Sequence, residues 1–154
     1  MDHQKDLSQS SIVIIGSGLA GFTVIRELRK LDKTVPITLV TRESGYFYSK
    51  PMLSTALASS KSAEQLVSTN AEGMATQLEV TILGEADVSA IDTASQTIET
   101  SKGKISYGKL VLGLGADQIR LPLQGNAAKE VITVNDLEEY AKFRKAIEGK
   151  KRVA

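Results

Sequence analysis

The chain of 154 residues contains no cysteine and a single histidine, His3. Without cysteine it can form no disulfide, redox-active thiol pair or thiolate metal site. The lone histidine lies in a polar amino-terminal stretch and cannot by itself build a histidine-based triad or metal cluster. The composition therefore excludes thiol chemistry and histidine-based catalysis within this chain, and we expect no metal.

An excess of charge is also missing, since 19 Lys and Arg residues face 18 Asp and Glu residues. No stripe of one sign could neutralise a run of phosphates, so we expect no nucleic-acid partner. The apolar runs are far too short to cross a membrane, and the first eleven residues lack the apolar core of a secretory signal. We therefore predict a cytoplasmic globular protein with no membrane partner and a polar, disordered tail over residues 1–10.

The motif that organises the chain is a glycine turn. Four branched apolar residues, 12–15, run into Gly16-Ser17-Gly18-Leu19-Ala20-Gly21 and then into the helix-patterned residues 22–31. Gly16 allows a tight turn, Gly18 lets a pyrophosphate approach the backbone, and Gly21 lets the helix pack closely on the strand. A helix start also offers N–H groups and a positive dipole end to a diphosphate. Strand, glycine turn and helix in this order predict a dinucleotide site.

The first helix and the strand after it complete a β-α-β unit. We expect one helix face to carry apolar residues at mostly three-residue spacing, and three basic residues to face away. These sets are Leu19, Phe22, Ile25, Leu28 and Leu31, and Arg26, Arg29 and Lys30. The β-branched residues 37–41 then predict a second, parallel strand.

An acidic residue stands where such folds bind ribose. Glu43 lies 22 residues after Gly21, and an acid roughly 20 residues beyond the glycines accepts hydrogen bonds from the adenosine ribose in dinucleotide folds. Arg42 precedes it and could stack on adenine or reach a phosphate. An exposed loop charge is the alternative for both. Further on, Pro51 suits the first turn of a short helix reaching about residue 58. This places Lys50 at a helix start as a candidate contact for an anionic or electron-rich ligand.

The middle of the chain predicts an antiparallel insertion into the parallel sheet. Short helices are expected near residues 64–67 and 71–77, and a third strand at 80–83. Alternating segments at 87–92, 97–100 and 104–107 then indicate a small meander. Residues 110–116 indicate a buried strand that ends in a second glycine turn.

The carboxyl-terminal part predicts one more strand and one more helix. The strand is expected at 131–134, and Asp136 and Glu139 have the spacing of a capping box for a helix ending at Gly149. Residues 150–154 have the pattern of an approach to another strand, so we interpret the chain as a piece of a longer protein. The fold class is α/β: a Rossmann-like dinucleotide-binding domain with a parallel sheet and a small antiparallel meander.

These residues together resemble a known family. The glycine fingerprint, the helix segment 26–33, the box Tyr48-Ser49-Lys50-Pro51-Met52-Leu53-Ser54, the strand 110–116 and the segment 135–138 are similar to the amino-terminal FAD-binding region of bacterial rubredoxin–NAD(+) reductases. These belong to a wider class of flavoprotein reductases with two dinucleotide domains. The resemblance covers residues 11–154.

The resemblance implies where the cofactor FAD would lie. Residues 17–20 would hold its pyrophosphate, while Thr41, Arg42 and Glu43 would border the adenosine. Lys50, with Pro51 beside it, would approach the isoalloxazine ring. The backbone of Val88 would hold adenine, and Gly115 and Ala116 would line the cofactor. Relatives often carry consecutive acids after the second strand, and since Arg42 replaces one here, ribose recognition depends on Glu43.

The resemblance also implies an activity for the whole enzyme: hydride transfer from the substrate NADH to FAD, then single-electron steps to rubredoxin or a similar small electron-transfer protein. Residues 11–149 would form the FAD-binding domain, and residues 150–154 would begin a truncated NAD-binding domain. We expect negligible turnover from the 154 residues alone.

Three alternatives remain open. The chain could belong to a ferredoxin reductase or an NADH oxidase of the same class, although the absence of cysteine disfavours the cysteine-dependent oxidases. It could be an inactive nucleotide-binding fragment. It could also be an NAD-binding domain, but the antiparallel meander favours FAD because a plain NAD domain usually continues with β-α units.

Overall fold

The computed structural model describes residues 11–153, so the predicted tail over residues 1–10 lies outside the described part. The chain forms two compact units. The first unit comprises the residues up to Phe47 together with Thr69–Gly115, and the second comprises Tyr48–Ser68 and the residues from Ala116 onward.

Nine strands and five α-helices form among residues 11–153. The strands are β1 Ile12–Ile15, β2 Ile37–Val40, β3 Phe47–Tyr48, β4 Val67–Thr69, β5 Thr81–Leu83, β6 Val88–Asp92, β7 Thr97–Thr100, β8 Gly103–Ser106 and β9 Lys109–Leu112. The helices are α1 Leu19–Leu31, α2 Leu53–Ala56, α3 Ala63–Leu66, α4 Ala71–Leu78 and α5 Leu137–Ile147, with 3₁₀ turns at Lys50–Met52 and Ala128–Glu130. No helix in this part of the chain combines the length and the hydrophobicity that a membrane crossing needs.

A four-stranded parallel sheet forms the centre of the first unit. Its strand order is β5-β2-β1-β9, and the pairing places Ile15 beside both Val40 and Leu112, with Leu83 beyond Val40. The carboxyl ends of all four strands therefore meet at one edge of the sheet. The predicted β-α-β unit and the third strand are confirmed.

Both faces of this sheet are covered, as a parallel sheet requires. Ile14 packs on one face in a cluster that includes Phe22 of α1 and Met74 of α4. Val13 and Ile15 point to the other face, into a second cluster with residues of the meander. Alternate residues of β1 thus enter two cores, which explains why its sequence is continuously apolar.

The predicted antiparallel meander forms a separate three-stranded sheet in the order β6-β7-β8. Both of its pairings are antiparallel. Ile98 of β7 is fully buried and belongs to the cluster of Val13 and Ile15. The predicted α/β class with a parallel sheet and an antiparallel insertion is therefore confirmed.

The predicted apolar face of α1 is too wide. Phe22 and Ile25 are fully buried, but Leu19 and Leu31 are 76% and 86% exposed. An α-helix has 3.6 residues per turn, so positions at three-residue spacing drift around the axis, and Leu19 and Leu31 each lie about 120° from Ile25. The two ends of the repeat consequently point away from the core.

The expectation that the basic residues of α1 face away holds only for Lys30. The guanidinium of Arg26 lies 4.5 Å from the centroid of the Phe47 ring. The guanidinium of Arg29 donates to four backbone carbonyl oxygens, including Leu78 at 2.8 Å and Val35 at 2.9 Å. Periodicity within the helix predicts that both arginines face solvent, because it contains no information about carbonyl groups or rings from other segments.

β9 is shorter than the predicted strand 110–116. It ends at Leu112, and the residues from Gly113 onward have no regular structure as far as Ala127. Leu112 and Leu114 are 57% and 66% exposed. The reason is that β9 is an edge strand of the sheet and lacks a neighbour on one side.

The second unit is mainly helical and has one small core. Short helices α2 and α3 and the longer α5 contribute Leu53, Leu66, Leu137 and Tyr140 to it. The hydroxyl of Tyr140 donates to the carbonyl oxygen of Lys61 at 2.8 Å. The short helix predicted after Lys50 is confirmed as a 3₁₀ turn followed by α2.

Two predictions for the second unit need correction. The strand expected at 131–134 does not form, and Val131 and Ile132 are exposed, because β-branched residues make a strand only when a neighbouring strand is available. Asp136 caps α5 by accepting from the N–H of Glu139 at 2.7 Å, but the Glu139 carboxylate accepts from the N–H of Asn135 instead of completing a capping box. Residues 150–153 have no regular structure, and Ala154 lies outside the described part.

Candidate functional site

The glycine turn lies at the carboxyl edge of the parallel sheet, between β1 and α1. The N–H of Gly16 donates to the carbonyl oxygen of Val40 at 2.8 Å, and the N–H of Gly113 donates to Ile15 at 2.8 Å. Gly16 has φ +110°, and a Cβ there would overlap the carbonyl oxygen of Gly113. Glycine at position 16 is thus required by both conformation and packing.

Gly21 closes the turn against the helix. A Cβ at this position would overlap the carbonyl oxygen of Gly16 and would lie 3.6 Å from the Ile14 side chain. Any larger residue would therefore push α1 away from the turn. This is the close approach of helix and strand that the glycine spacing predicts.

Gly18 differs from these two glycines because nothing in the chain requires it. Its φ of −74° suits any residue, and apart from Gly18 and its two chain neighbours no atom of residues 11–153 lies within 4 Å of the position a Cβ would take. The space in front of its backbone is open. A ligand that approaches this backbone closely is a physical reason for glycine here.

The start of α1 has the polarity that an anion needs. Gly18 is the N-cap, it provides no side-chain hydrogen bond, and the first turn of the helix carries no acidic residue. The N–H groups of a first helical turn have no partner within the helix, and the helix dipole is positive at this end. Together with the open backbone of Gly18, these features fit a diphosphate group.

Thr41, Arg42 and Glu43 follow β2 at the same edge of the sheet. Thr41 is buried, Arg42 is exposed and Glu43 is half-buried. The hydroxyl of Thr41 accepts from the N–H of Glu43 at 3.2 Å and shares a hydrogen bond of 3.0 Å with the hydroxyl of Ser17. The structure therefore brings the glycine turn and Glu43 together.

The loop after β5 supports Glu43 from the other side. The N–H of Glu85 donates to the carbonyl oxygen of Glu43 at 2.9 Å. A Cβ at Gly84 would lie 2.7 Å from the carbonyl oxygen of Ser44. Three loops, after β1, β2 and β5, thus form one connected layer at the carboxyl edge, which is where open α/β sheets bind ligands.

Two more predicted site residues lie in the first unit. Val88 is half-buried at the start of β6, and the register shifts between Val88 and Ala90. Gly115 has φ +71°, and among the described residues no atom beyond its chain neighbours lies within 4 Å of its Cβ position. A positive φ favours glycine at this position without any ligand.

The remaining three predicted residues belong to the second unit. Lys50 and Pro51 open the 3₁₀ turn and are exposed. The carbonyl oxygen of Pro51 accepts from the Ser54 hydroxyl at 2.8 Å, and that of Ala116 accepts from the Asn135 amide at 3.0 Å. Their contact with a cofactor stays a prediction.

Shifted pKa values in the described carboxyl groups have local causes. The N–H and hydroxyl of Thr34, with the N–H of Val35, hold the pKa of Asp32 below its usual range. The N–H and hydroxyl of Ser95 and the N–H of Ala94 lower the pKa of Asp92 in the same way. Both shifts come from hydrogen bonds within turns, so these carboxylates stabilise turns and do not indicate a catalytic acid or base.

The bond between Ser17 and Thr41 was not predicted from the sequence. Ser17 follows Gly16, the first residue after β1, and Thr41 follows β2 directly. Both strands end at the same edge of the sheet. Two hydroxyls placed just beyond neighbouring parallel strands were the available signal, because the ends of such strands meet.

The sequence matches the pyridine nucleotide-disulphide oxidoreductase family over residues 10–154. The chain belongs to this family. The match covers the parallel sheet, the glycine turn, the meander and α5, so it includes parts of both units.

Two curated relatives carry the same name. The chain is 46% identical over 142 residues to the rubredoxin-NAD(+) reductase of Alcanivorax borkumensis, which covers 92% of this chain and 37% of that protein. It is 39% identical over 137 residues to the rubredoxin-NAD(+) reductase of Acinetobacter baylyi, covering 86% of this chain and 35% of the relative. The chain thus spans little more than a third of the length of these two relatives.

A solved structure agrees with the fold. The ferredoxin reductase of Rhodopseudomonas palustris superposes with a TM-score of 0.77 at 26% identity, over 90% of this chain and 34% of that one. The fold is therefore that of the FAD/NAD(P)-binding oxidoreductases, as the sequence predicts.

Proposed function

We propose that this chain is the amino-terminal FAD-binding part of an NADH-dependent flavoprotein reductase that passes electrons to rubredoxin. The observation that carries the proposal is the open backbone at Gly18. Neither conformation nor packing requires glycine there, and the start of α1 beside it lacks any negative charge of its own. A bound diphosphate explains both features.

The proposed roles follow the sequence predictions. Residues 17–20 hold the diphosphate through backbone N–H groups, and the Glu43 carboxylate accepts from the adenosine ribose. Arg42 lies beside the adenosine, and Val88 holds adenine through its backbone. When bound, FAD supplies the hydride and single-electron chemistry.

Three further roles concern the second unit and its boundary. Gly115 and Ala116 line the cofactor, and Lys50, beside Pro51, approaches the isoalloxazine ring as a positive charge. We also propose that residues 11–149 act as one FAD-binding domain and that residues 150–154 lead toward an NAD-binding domain. NADH would then bind outside the part of the chain described here.

Rubredoxin is the proposed electron acceptor because the two rubredoxin-NAD(+) reductases are 46% and 39% identical to this chain. The ferredoxin reductase is 26% identical and supports a ferredoxin as the second candidate. An NADH oxidase that depends on cysteine is disfavoured, because the chain contains none.

The test is retention of FAD by the chain and by two matched variants. The chain is incubated with excess FAD, separated from unbound cofactor by gel filtration, and its absorption spectrum recorded. We expect a retained flavin band in the wild-type chain, a strongly reduced band in Gly18→Ala, and an unchanged band in Thr23→Ala, an exposed site on the same helix. Equal bands in all three proteins would show that FAD binding does not depend on glycine at position 18. The absence of a flavin band from all three would contradict FAD binding by this chain.

The length of the chain also bears on whether it can turn over NADH by itself. Because the chain spans about a third of the relatives' length, we expect it to catalyse no measurable NADH-dependent dye reduction even when it holds FAD. Measurable reduction by the purified chain would contradict this.

A further inference from the structure

Two buried hydroxyl groups join the turn after β1 to the turn after β2. Ser17 and Thr41 are 8% and 4% exposed, and their hydroxyl oxygens lie 3.0 Å apart although 24 residues separate them in the chain. Buried polar groups nearly always have partners, and these two hydroxyls are hydrogen-bonded to each other.

Thr41 uses all of its polar groups at this edge of the sheet. Its N–H donates to Leu83 at 3.0 Å, and its carbonyl oxygen accepts from the N–H of Ala86 at 2.8 Å. Its hydroxyl oxygen accepts from the N–H of Glu43 at 3.2 Å while it bonds to Ser17. One residue thus connects the glycine turn, the loop that carries Glu43 and the loop after β5.

A hydroxyl is needed at position 41 for both side-chain bonds. A hydroxyl has one proton and two lone pairs, so it can accept from Glu43 and still donate to or accept from Ser17. Valine has nearly the same shape and can do neither. Serine keeps the hydroxyl and loses only the methyl group.

We propose that Thr41 is a positioning residue that sets the distance between the glycine turn and Glu43. It would act through these two neighbours, since its own hydroxyl is buried and already engaged. The proposal rests on the proposed function, in which the turn holds a diphosphate and Glu43 holds the adenosine ribose. The ligand class is therefore an adenosine diphosphate group, whether in FAD or alone.

The first measurement is the affinity of the full chain for ADP, measured by calorimetry. Thr41→Val should weaken ADP binding by about fivefold to tenfold, the factor that corresponds to the net free energy of one hydrogen bond. Thr41→Ser should bind within about twofold of the wild-type chain. Thr23→Val, exposed on α1, is the control and should bind normally.

The second measurement separates positioning from a general loss of structure. The ratio of the dissociation constants for 2′-deoxy-ADP and ADP reports the contact between Glu43 and the ribose. In Thr41→Val this ratio should fall toward one, because Glu43 is no longer held in place. A merely structural role would weaken both ligands equally and leave the ratio unchanged.

The two measurements together test the role of Thr41. Weaker ADP binding with a lowered ratio supports the role of Thr41, and unchanged binding or an unchanged ratio overturns it while the proposed function stands. If the wild-type chain binds neither ADP nor FAD, the proposed function fails and this inference fails with it. If Thr41→Val does not fold, Thr41→Ala removes both hydroxyl bonds without placing a methyl group against Ser17, and its ratio decides between the same outcomes.

Discussion

The two units of this chain differ in how they build their apolar cores. In the first unit Ile14, Leu39 and Val40 are fully buried, since the parallel sheet is covered on both faces. In the second unit Ile119 and Leu121 are 87% and 70% exposed. The sheet brings side chains from distant segments into two cores. The second unit has two short helices and the longer α5, and these bury their apolar residues in one small cluster.

The difference also concerns buried polar groups. The first unit ties its loops together with Arg29 and with the pair Ser17 and Thr41. In the second unit the side chains of Tyr140, Asn135 and Gln118 donate to Lys61, Ala116 and Thr133, and of these three donors Tyr140 alone is buried. Substitutions in the first unit should therefore lower the free energy of unfolding more than substitutions in the second unit. The difference between the two units should be smallest at Tyr140.

The largest effect should come from the core of the first unit. Phe22 is fully buried, and its ring packs edge-on against Phe47 with centroids 5.4 Å apart. Phe22→Ala should lower the free energy of unfolding by about 3–5 kcal/mol through lost burial and a cavity. Leu19→Ala, on the same helix, and Leu121→Ala, in the second unit, should each change it by less than about 0.5 kcal/mol. Denaturant unfolding followed by circular dichroism measures all three free energies of unfolding, and equal losses would contradict a larger contribution from the buried Phe22 ring.

Arg29 should give the next largest effect. Arg29→Met keeps much of the apolar stem but removes the donors to the carbonyl oxygens of Leu78, Val35 and their neighbours. We expect a loss of about 1.5–3 kcal/mol, the usual range for hydrogen bonds to a charged group. Lys30→Met is the control, since Lys30 forms an exposed ion pair with Glu27, and such pairs contribute about 0–1 kcal/mol. A loss for Lys30→Met as large as that for Arg29→Met would refute the assignment.

Tyr140 tests the second unit. Tyr140→Phe keeps the ring in the core and removes only the hydroxyl that donates to Lys61. The expected loss is about 0.5–1.5 kcal/mol. Hydrogen exchange followed by mass spectrometry should show faster exchange in residues 48–68 and 137–147 and no change in the first unit. Faster exchange spread over both units would show that they unfold together.

The smallest effect should be a dependence on pH. The carboxylate of Asp32 accepts from Thr34 and Val35, and these bonds lower its pKa in the folded chain. A lowered pKa adds stability above the unfolded-state pKa, and this stability is lost as the pH falls through the folded-state pKa. Wild type should therefore exceed Asp32→Asn in stability near neutral pH, and the difference should shrink in acid. A difference that stays constant over the acid range would contradict this.

Much of the fold was predictable because its signals are local. The run 12–15, the glycine spacing and the alternating segments of the meander each reflect the period of one element and its neighbours in sequence. The candidate cofactor residues were named from the same spacing and from family resemblance, and their contacts with a cofactor stay predictions. The strand expected at 131–134 was wrong because β-branched composition records a preference for strands and not the presence of a partner strand.

The sequence by itself determined the order of elements and the glycine turn, since both depend on residues within a few positions of one another. Only the tertiary structure decided that Arg29 binds Leu78, 49 residues away, and that Ser17 pairs with Thr41, 24 residues away. It also decided that Gly18, unlike Gly16 and Gly21, faces open space. These features arise where separate segments meet at the sheet and helix ends, and no local pattern specifies which atoms will be neighbours there.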